Sequence, residues 1–192
     1  MIRAIVFDCF GVVISDALEV LSSRLREADS AAADQVSELV RASNRGMVDP
    51  AESSRQVAAV FGMTYEEYRA AIAAGEVKNV ELMSYIVELR NNYKTALLSN
   101  IGAGSLTRRF SSEELLRHFD VVIASGDVGV IKPDAEAYLI TAERLGVAPE
   151  ECIFIDDRQP YCEGAAVVGM RTICYQNFAQ FRTELEVLLV AV

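Results

Sequence analysis

Five short apolar runs rich in β-branched residues stand out along the chain: residues 2–7, 95–98, 119–124, 152–155 and 171–175. They do not alternate polar with apolar positions, a pattern typical of strands that are buried on both faces. Between the later runs lie segments with helical period, such as the one that Pro133 opens and Gly146 closes. Strands that alternate with helices predict right-handed crossovers, and hence an α/β fold with a doubly wound parallel sheet of about five strands.

Residues 16–93 interrupt this alternation, because they contain several helical patterns and no convincing strand. Asp16 with Glu19, and Thr64 with Glu67, have the spacing of capping boxes at helix starts. We therefore expect an α/β core made of residues 1–15 and 94–192, with an all-helical cap at residues 16–93. The connections are expected near residues 13–16 and 91–94. The cap carries scattered charges such as Arg24, Arg26 and Arg45, with no readable motif.

Charge and hydropathy narrow the range of partners. The chain of 192 residues has 28 acidic and 18 basic side chains, so its net charge of −10 would repel a nucleic-acid backbone. No apolar run approaches the roughly 20 residues that a membrane span needs. The start, MIRAIVFD, lacks the features of a signal peptide because Asp8 interrupts it. We expect a cytoplasmic protein with neither nucleic acid nor membrane as a partner.

Polar residues follow the apolar runs where a parallel sheet would place a ligand. Asp8 follows the first run, Ser99 and Asn100 follow the second, and Asp156 and Asp157 follow the fourth. The carboxyl ends of parallel strands share one edge, so these side chains should converge there. Three crowded carboxylates favour a cation, and oxygen ligands of this kind suit Mg²⁺. Each residue alone would be an ordinary turn or cap, but the ordered set predicts a site.

Four motifs in order carry a family resemblance: IVFDCFGVV at Asp8, LLSN at Ser99, IKPDAEAY at Lys132 and FIDDRQPYCEGAAVVGM at Asp156 and Asp157. Over nearly its whole length the chain resembles the haloacid dehalogenase superfamily. The resemblance implies a flavodoxin-like sheet with the first strand in the middle. The helical insertion is similar to the cap that the family places between its first and second strands.

The resemblance also implies a role for each motif. Asp8 would be the nucleophile that forms a covalent intermediate, which water then hydrolyses. Ser99 and the adjoining Asn100 would bind oxygen atoms of the substrate. Lys132 would bind substrate and stabilise the charge that grows in the transition state. This set implies a hydrolase that acts on a small phosphorylated metabolite through an aspartyl-phosphate.

The implied cofactor is Mg²⁺, held by Asp8, the backbone carbonyl of Phe10, and the pair Asp156 and Asp157. Phe10 departs from the family pattern, since the phosphatases usually carry a second aspartate at that position as general acid and base. A phenyl ring cannot move a proton, whereas its backbone carbonyl can still bind a metal. General acid and base catalysis contributes about 10² to 10⁴-fold, so activity toward poor leaving groups should be reduced.

Phe10 keeps two alternatives open. Haloacid dehalogenases carry an aromatic residue there, in the motif DxYGT, and displace a halide that needs no proton. They work without metal, however, and carry serine and asparagine in the region of Asp156 and Asp157, so the phosphatase interpretation is favoured. The second alternative is a domain that binds a phosphorylated ligand and has weak or no catalytic activity.

Overall fold

A sheet of five parallel strands lies at the centre of the computed structural model, which describes residues 1–190. The strands are β1 Ala4–Phe7, β2 Lys94–Ser99, β3 Val121–Ala124, β4 Cys152–Asp156 and β5 Arg171–Cys174. Their order across the sheet is β3-β2-β1-β4-β5, and every pairing is parallel. The predicted α/β fold with β1 in the middle of the sheet is confirmed.

Burial on both faces explains the uninterrupted apolar runs. Ile5 and Phe7 of β1 enter the apolar cluster on one face of the sheet, whereas Ala4 and Val6 enter the cluster on the other face. All four side chains are fully buried. A large apolar side chain that is buried in this way contributes about 1.5–3 kcal/mol, so both faces of the sheet stabilise the position of β1.

Four helices between β1 and β2 pack mainly on one another: α1 Ala17–Ala28, α2 Ser30–Asn44, α3 Pro50–Val60 and α4 Tyr65–Gly75. We call this four-helix unit the cap. Its small apolar cluster contains Val36, Val57, Ala58 and Tyr68. Asp16 caps α1 by accepting a hydrogen bond from the backbone N–H of Glu19 at 2.9 Å. The capping box of Thr64 and Glu67 at the start of α4 is also formed.

The next helix, α5 Val80–Leu89, packs on the sheet and not on the cap. Its buried Leu82, Met83 and Ile86 belong to the same apolar cluster as Phe7 of β1. The apolar face of a helix has the same sequence pattern whichever neighbour it packs against, so the sequence alone assigned α5 to the insertion. We infer from this packing that the cap ends before α5, rather than at residue 93.

The two connections between core and cap lie side by side. Ile14 forms an isolated antiparallel bridge with Lys78. The backbone N–H of Ser15 donates to the carbonyl of Val77 at 3.0 Å, and the N–H of Val77 donates to Oγ of Ser15 at 2.7 Å. The outgoing connection is the one expected near residues 13–16. From this backbone pairing we infer a return at residues 76–79, rather than at the predicted residues 91–94.

The remaining helices are α6 Ser112–His118, α7 Ser125–Val128, α8 Ala135–Leu145, α9 Gln159–Val167 and α10 Phe178–Val190. Tyr138 of α8 and Ala165 of α9 pack on the face that contains Val6, while Phe181 of α10 packs on the face that contains Phe7. Helices therefore cover both faces, as in a doubly wound fold. Within residues 1–190, no helix combines the length and the apolarity that crossing a membrane demands.

Candidate active site

The carboxyl ends of three neighbouring strands bring the predicted polar residues to one edge of the sheet. Asp8 follows β1, Ser99 ends β2, and Asp156 ends β4 with Asp157 directly after it. One carboxylate oxygen from each of the three aspartates lies within 4.8 Å of the others. Residues that are almost 150 positions apart in the chain therefore form one acidic cluster.

Lys132 lies at the centre of this cluster. Its Nζ donates to Oδ1 of Asp8 and to Oδ2 of Asp156, both at 2.6 Å, and its side chain is fully buried. Burial alone would lower the pKa of Lys132, but the two carboxylates outweigh it and raise this pKa above the ordinary value. Lys132 is therefore a permanent cation beside Asp8, where it orients the carboxylate and offsets part of its charge.

One ammonium group does not neutralise two buried carboxylates. Burial raises the pKa of Asp8 from 3.8 to about 7; Lys132 opposes this shift, and the nearby Asp156 adds to it. Near neutral pH, a large fraction of Asp8 would then carry a proton and could not act as a nucleophile. A second cation at this edge would favour the ionised form.

Asn100 holds the segment that carries Lys132. Its Nδ2 donates to the carbonyl of Lys132 at 2.9 Å, and its Oδ1 accepts from the backbone N–H of Lys132 at 2.8 Å. Both polar atoms of this amide are thus used within the protein, although Asn100 also lines the cavity above the site. The sequence predicts that Asn100 binds substrate; in the structure its amide is hydrogen-bonded to the backbone of Lys132.

The two adjacent aspartates differ in how their oxygen atoms are used. Oδ2 of Asp156 accepts from Lys132, and its Oδ1 accepts from the backbone N–H of Arg158 at 2.9 Å. No hydrogen bond within residues 1–190 ends on the side chain of Asp157, which is exposed. Although the residue as a whole is exposed, partial burial of its carboxyl group raises the pKa of Asp157 to about 6, and the charge of Asp156 adds to this shift. Asp157 is thus the carboxylate whose oxygen atoms are free for a metal.

Gly11 makes room for that carboxylate. Its φ of +83° suits glycine, and a Cβ at this position would lie 2.3 Å from Oδ2 of Asp157. The carbonyl of the preceding Phe10 accepts none of the backbone hydrogen bonds found in this loop, which join Gly11 to Ile14 and Ile14 to Cys9. Two carboxylates and a free carbonyl match the oxygen ligands that Mg²⁺ prefers, so these residues fit the implied ion.

Ser99 has a buried hydroxyl group with no partner. Its side chain is fully buried, and its Oγ is the one buried side-chain polar atom within residues 1–190 that makes no hydrogen bond. An unsatisfied buried hydroxyl costs about 1–3 kcal/mol, so such a group needs a functional explanation. At the end of β2, beside β1, it fits a donor to an oxygen atom of a bound phosphate or carboxylate.

Phe10 packs under the ion pair of Arg109 and Glu76, which no sequence pattern predicts. The guanidinium carbon of Arg109 lies 5.1 Å from the centre of the Phe10 ring. Arg109 also donates to Oε1 of Glu76 through Nε at 3.0 Å and through a terminal nitrogen at 2.5 Å. Glu76 follows α4 of the cap, whereas Arg109 belongs to the core. The pair spans the two units directly above the ring, and no motif in the sequence marks it.

A cavity of about 570 Å³ lies between the cap and the acidic edge of the sheet. Asp8, Phe10 and Lys132 line it from the core, while residues of α1 to α4 line it from the cap. Small-molecule sites usually measure roughly 300–1,000 Å³, so the cavity suits a small metabolite. Its position places such a ligand directly on Asp8.

Comparison with known proteins finds relatives that match nearly the whole chain. The chain is 28% identical to D-ribitol-5-phosphate phosphatase of Bacteroides thetaiotaomicron over 205 aligned positions, which cover 98% of this chain and 99% of the relative. Two other curated relatives, at 36% and 31% identity, are matched over only 43% and 22% of their own length. The chain thus spans less than half of those proteins.

Solved structures share the fold. A predicted HAD-like family hydrolase from Porphyromonas gingivalis superimposes with a TM-score of 0.76 at 28% identity, over 98% of each chain. A HAD family enzyme from Bacteroides thetaiotaomicron, solved in complex with magnesium and inorganic phosphate, gives a TM-score of 0.74 at 20% identity, over 94% of this chain and 99% of that one. The profile of the haloacid dehalogenase-like hydrolases matches residues 2–169. The chain belongs to the haloacid dehalogenase-like hydrolase family.

Proposed function

We propose that the protein is a Mg²⁺-dependent phosphatase that hydrolyses a small phosphorylated metabolite through an aspartyl-phosphate on Asp8. The observation that carries this proposal is the cluster of Asp8, Asp156 and Asp157 around buried Lys132, on the floor of a cavity of about 570 Å³. The full-length relative that is named as a phosphatase supports the same chemistry.

In the first step, a carboxylate oxygen of Asp8 attacks phosphorus. The new O–P bond forms while the ester P–O bond breaks, and its electron pair leaves with the alcohol oxygen. Lys132 holds Asp8 in one orientation and places a positive charge beside the transferring group. The Ser99 hydroxyl would donate to a phosphoryl oxygen, which would give this buried group the partner that it lacks. Water then attacks phosphorus, the P–O bond to Asp8 breaks with its electron pair returning to the carboxylate, and inorganic phosphate and a proton are released to solvent.

Asp8, Asp157 and the carbonyl of Phe10 would hold Mg²⁺, while Asp156 anchors Lys132 from behind. The ion would supply positive charge that keeps Asp8 ionised and offsets the charge of the phosphate. Asp157 would contribute the free carboxylate, because both oxygen atoms of Asp156 already accept hydrogen bonds.

The leaving alcohol has no proton donor at the position of Phe10. The ring of Phe10 lies under Arg109, which is paired with Glu76. The first step should therefore depend steeply on the acidity of the alcohol. Aryl phosphates such as 4-nitrophenyl phosphate should be cleaved much faster than alkyl phosphates, by up to about 10² to 10⁴-fold.

The test compares the wild-type protein with Asp8→Asn on a panel of phosphate esters, with and without Mg²⁺. We expect Asp8→Asn to reduce turnover by at least about 10⁴-fold, as for the loss of other nucleophiles. The matched control is Asp127→Asn, since Asp127 is an exposed aspartate of α7 outside the acidic cluster. Turnover that persists in Asp8→Asn would exclude the aspartyl-phosphate. Beryllium fluoride should form an adduct on Asp8 of the wild-type protein only.

The aromatic ring of Phe10 is the observation that favours a second candidate, a hydrolase that uses Asp8 to displace halide from a 2-haloacid. This reaction needs no proton donor and no metal. Chloride release from 2-chloropropionate in the presence of EDTA would support it. Binding of phosphate and Mg²⁺ without turnover of any ester or haloacid would instead indicate a ligand-binding domain.

A further inference from the structure

Basic side chains outnumber acidic ones in the wall of the active-site cavity, although the chain as a whole is acidic. Seven basic side chains line the cavity against four acidic ones, in a protein with a net charge of −10. Lys132 belongs to the catalytic cluster, and the other six are arginines: Arg26, Arg41, Arg69, Arg108, Arg109 and Arg158. An excess of like charge in one enclosed space is unfavourable unless an anion compensates it.

Two of the six arginines have carboxylate partners in the cavity wall. Arg109 pairs with Glu76 at 2.5 Å, and Arg158 pairs with Glu19 at 3.3 Å. The acidic side chains of the wall that remain are Asp8, already bonded to Lys132, and Asp16, which caps α1. The wall therefore offers no further carboxylate to the other four arginines.

The other four arginines, Arg26, Arg41, Arg69 and Arg108, form no ion pair within the described part of the chain. Arg69 lies over the ring of Tyr65 at 5.6 Å, and Arg108 donates to Oγ of Ser105 at 2.9 Å. The guanidinium groups are exposed and keep donors free. We call these four residues the arginine group.

The arginine group comes from four separate elements. Arg26 lies on α1, Arg41 on α2, Arg69 on α4, and Arg108 on the 3₁₀ turn Leu106–Arg108 that follows β2. Three of the four thus belong to the cap, whereas Asp8 belongs to the core. Guanidinium groups bind carboxylates and phosphates through paired hydrogen bonds, which suits an anion better than a neutral hydroxyl.

We propose that the substrate carries a second anionic group, which the arginine group binds while the phosphate that is transferred lies at Asp8. The inference rests on the proposed phosphatase function and specifies its substrate class: metabolites with a carboxylate or a second phosphate at the end remote from the scissile ester. The cavity of about 570 Å³ has room for such a ligand to span from the acidic cluster to the cap.

The test uses three-carbon alkyl phosphates whose far end carries a hydroxyl, a carboxylate or a second phosphate. We expect KM to be roughly tenfold lower for the two anionic esters than for the hydroxyl ester, with similar kcat, because charge-assisted hydrogen bonds are made equally in the ground and transition states. The two anionic esters together show whether the second group is a carboxylate or a phosphate. High salt should reduce the difference.

Arg41→Gln and Arg69→Gln should each bring the KM of the anionic esters closer to that of the hydroxyl ester, by about 3 to 10-fold. Arg24→Gln is the matched control, because Arg24 is an exposed arginine of α1 outside the cavity wall. If Arg24→Gln changes the KM of the anionic esters as much as Arg41→Gln does, the effect of charge is non-specific. That result would overturn the arginine group as a binding site.

A second measurement separates this inference from the proposed function. Calorimetric titration of the Asp8→Asn protein with the three esters reports binding without turnover. If the wild-type protein cleaves all three esters with equal KM, the arginine group has no such role and the phosphatase function stands. If neither these esters nor 4-nitrophenyl phosphate is cleaved, but the anionic esters bind more tightly and Arg41→Gln removes the difference, the phosphatase proposal fails and the anion site stands.

Discussion

The core and the cap hold their charged groups in opposite ways. In the core, Lys132 is 1% exposed and bonded to two buried carboxylates. In the cap, Arg26, Arg41 and Arg69 are exposed and form no ion pair within residues 1–190. Fixed charges suit a reaction centre, because they need no reorganisation in the transition state. Exposed guanidinium groups without an ion pair can turn toward ligands of different shape, so we expect the core to carry the chemistry and the cap to recognise the substrate.

The core and the cap also differ in how many apolar side chains they bury. The core has two large apolar clusters, one on each face of the sheet, whereas the apolar cluster of the cap has four buried residues. Regions with few buried apolar contacts open at a lower free energy than the rest of a protein. The cap should therefore move or unfold locally before the sheet does, while the acidic cluster keeps its geometry.

The substitution Lys132→Met in the core should cause the largest loss of stability. It leaves Asp8 and Asp156 buried without their cation, and breaking such a buried pair costs about 3–5 kcal/mol. In the cap, Arg41→Gln should change the free energy of unfolding by less than about 0.5 kcal/mol. Urea unfolding of the two variants above neutral pH, without Mg²⁺, measures both changes in the free energy of unfolding. Equal stability of Lys132→Met and the wild-type protein would show that the core charges are not coupled in this way.

Phe10→Asp should increase the turnover of alkyl phosphates by up to about 10²-fold, because it introduces a carboxyl group that can protonate the alcohol. Cleavage of 4-nitrophenyl phosphate should change little, since that leaving group needs no proton. Steady-state kinetics on both esters test this prediction, with Phe10→Asn as a control of similar size that cannot transfer a proton. Equal rates for the Asp and Asn variants would remove Phe10 as the cause of low activity.

Binding of Mg²⁺ should weaken as the pH falls. The pKa of Asp8 is about 7 and that of Asp157 is about 6, so protons compete with the metal for both carboxylates below neutral pH. Apparent affinity should rise up to roughly tenfold per pH unit for each proton released and level off above about pH 8. Calorimetry in buffers of different ionisation enthalpy would count the protons. An affinity that does not change between about pH 5 and 8 would argue against these ligands.

Ser99→Ala should change stability little, and in the direction opposite to Lys132→Met. It removes an unsatisfied buried hydroxyl, so the protein should unfold at an equal or slightly higher free energy, by up to about 1 kcal/mol. Its KM for phosphate esters should rise roughly tenfold. In the cap, Ser53→Ala should lose about 0.5–1.5 kcal/mol, because Oγ of Ser53 donates to the carbonyl of Leu39 at 3.0 Å. A clear loss of stability in Ser99→Ala would show that its hydroxyl has a structural partner.

Strands and motif positions followed from the sequence because their physical causes are local. Strand β1, Ala4–Phe7, is apolar at every position because both faces of the sheet are covered, and Asp156 is the last residue of its strand. The start of α4 was equally readable, since Thr64 and Glu67 satisfy each other's backbone groups within four residues.

Features that depend on packing between distant segments were not predictable in the same way. The apolar face of α5 does not reveal that this helix packs on Phe7, so the pattern alone predicts a return from the cap near residues 91–94. The pairing of Arg109 with Glu76 depends on how the cap lies over the core. The different roles of Asp156 and Asp157 depend on which oxygen atoms Lys132 and Arg158 occupy.

The hydrogen-bonded crossing of Ser15 and Val77 has a consequence for how such proteins diversify. The two ends of the inserted helices leave the core only 3.0 Å apart, measured from the nitrogen of Ser15 to the oxygen of Val77. Insertions whose ends meet in this way can be exchanged with little disturbance to the host unit. We therefore expect the helical unit to be replaceable, and a short turn joining its two ends would leave Asp8 on an intact sheet.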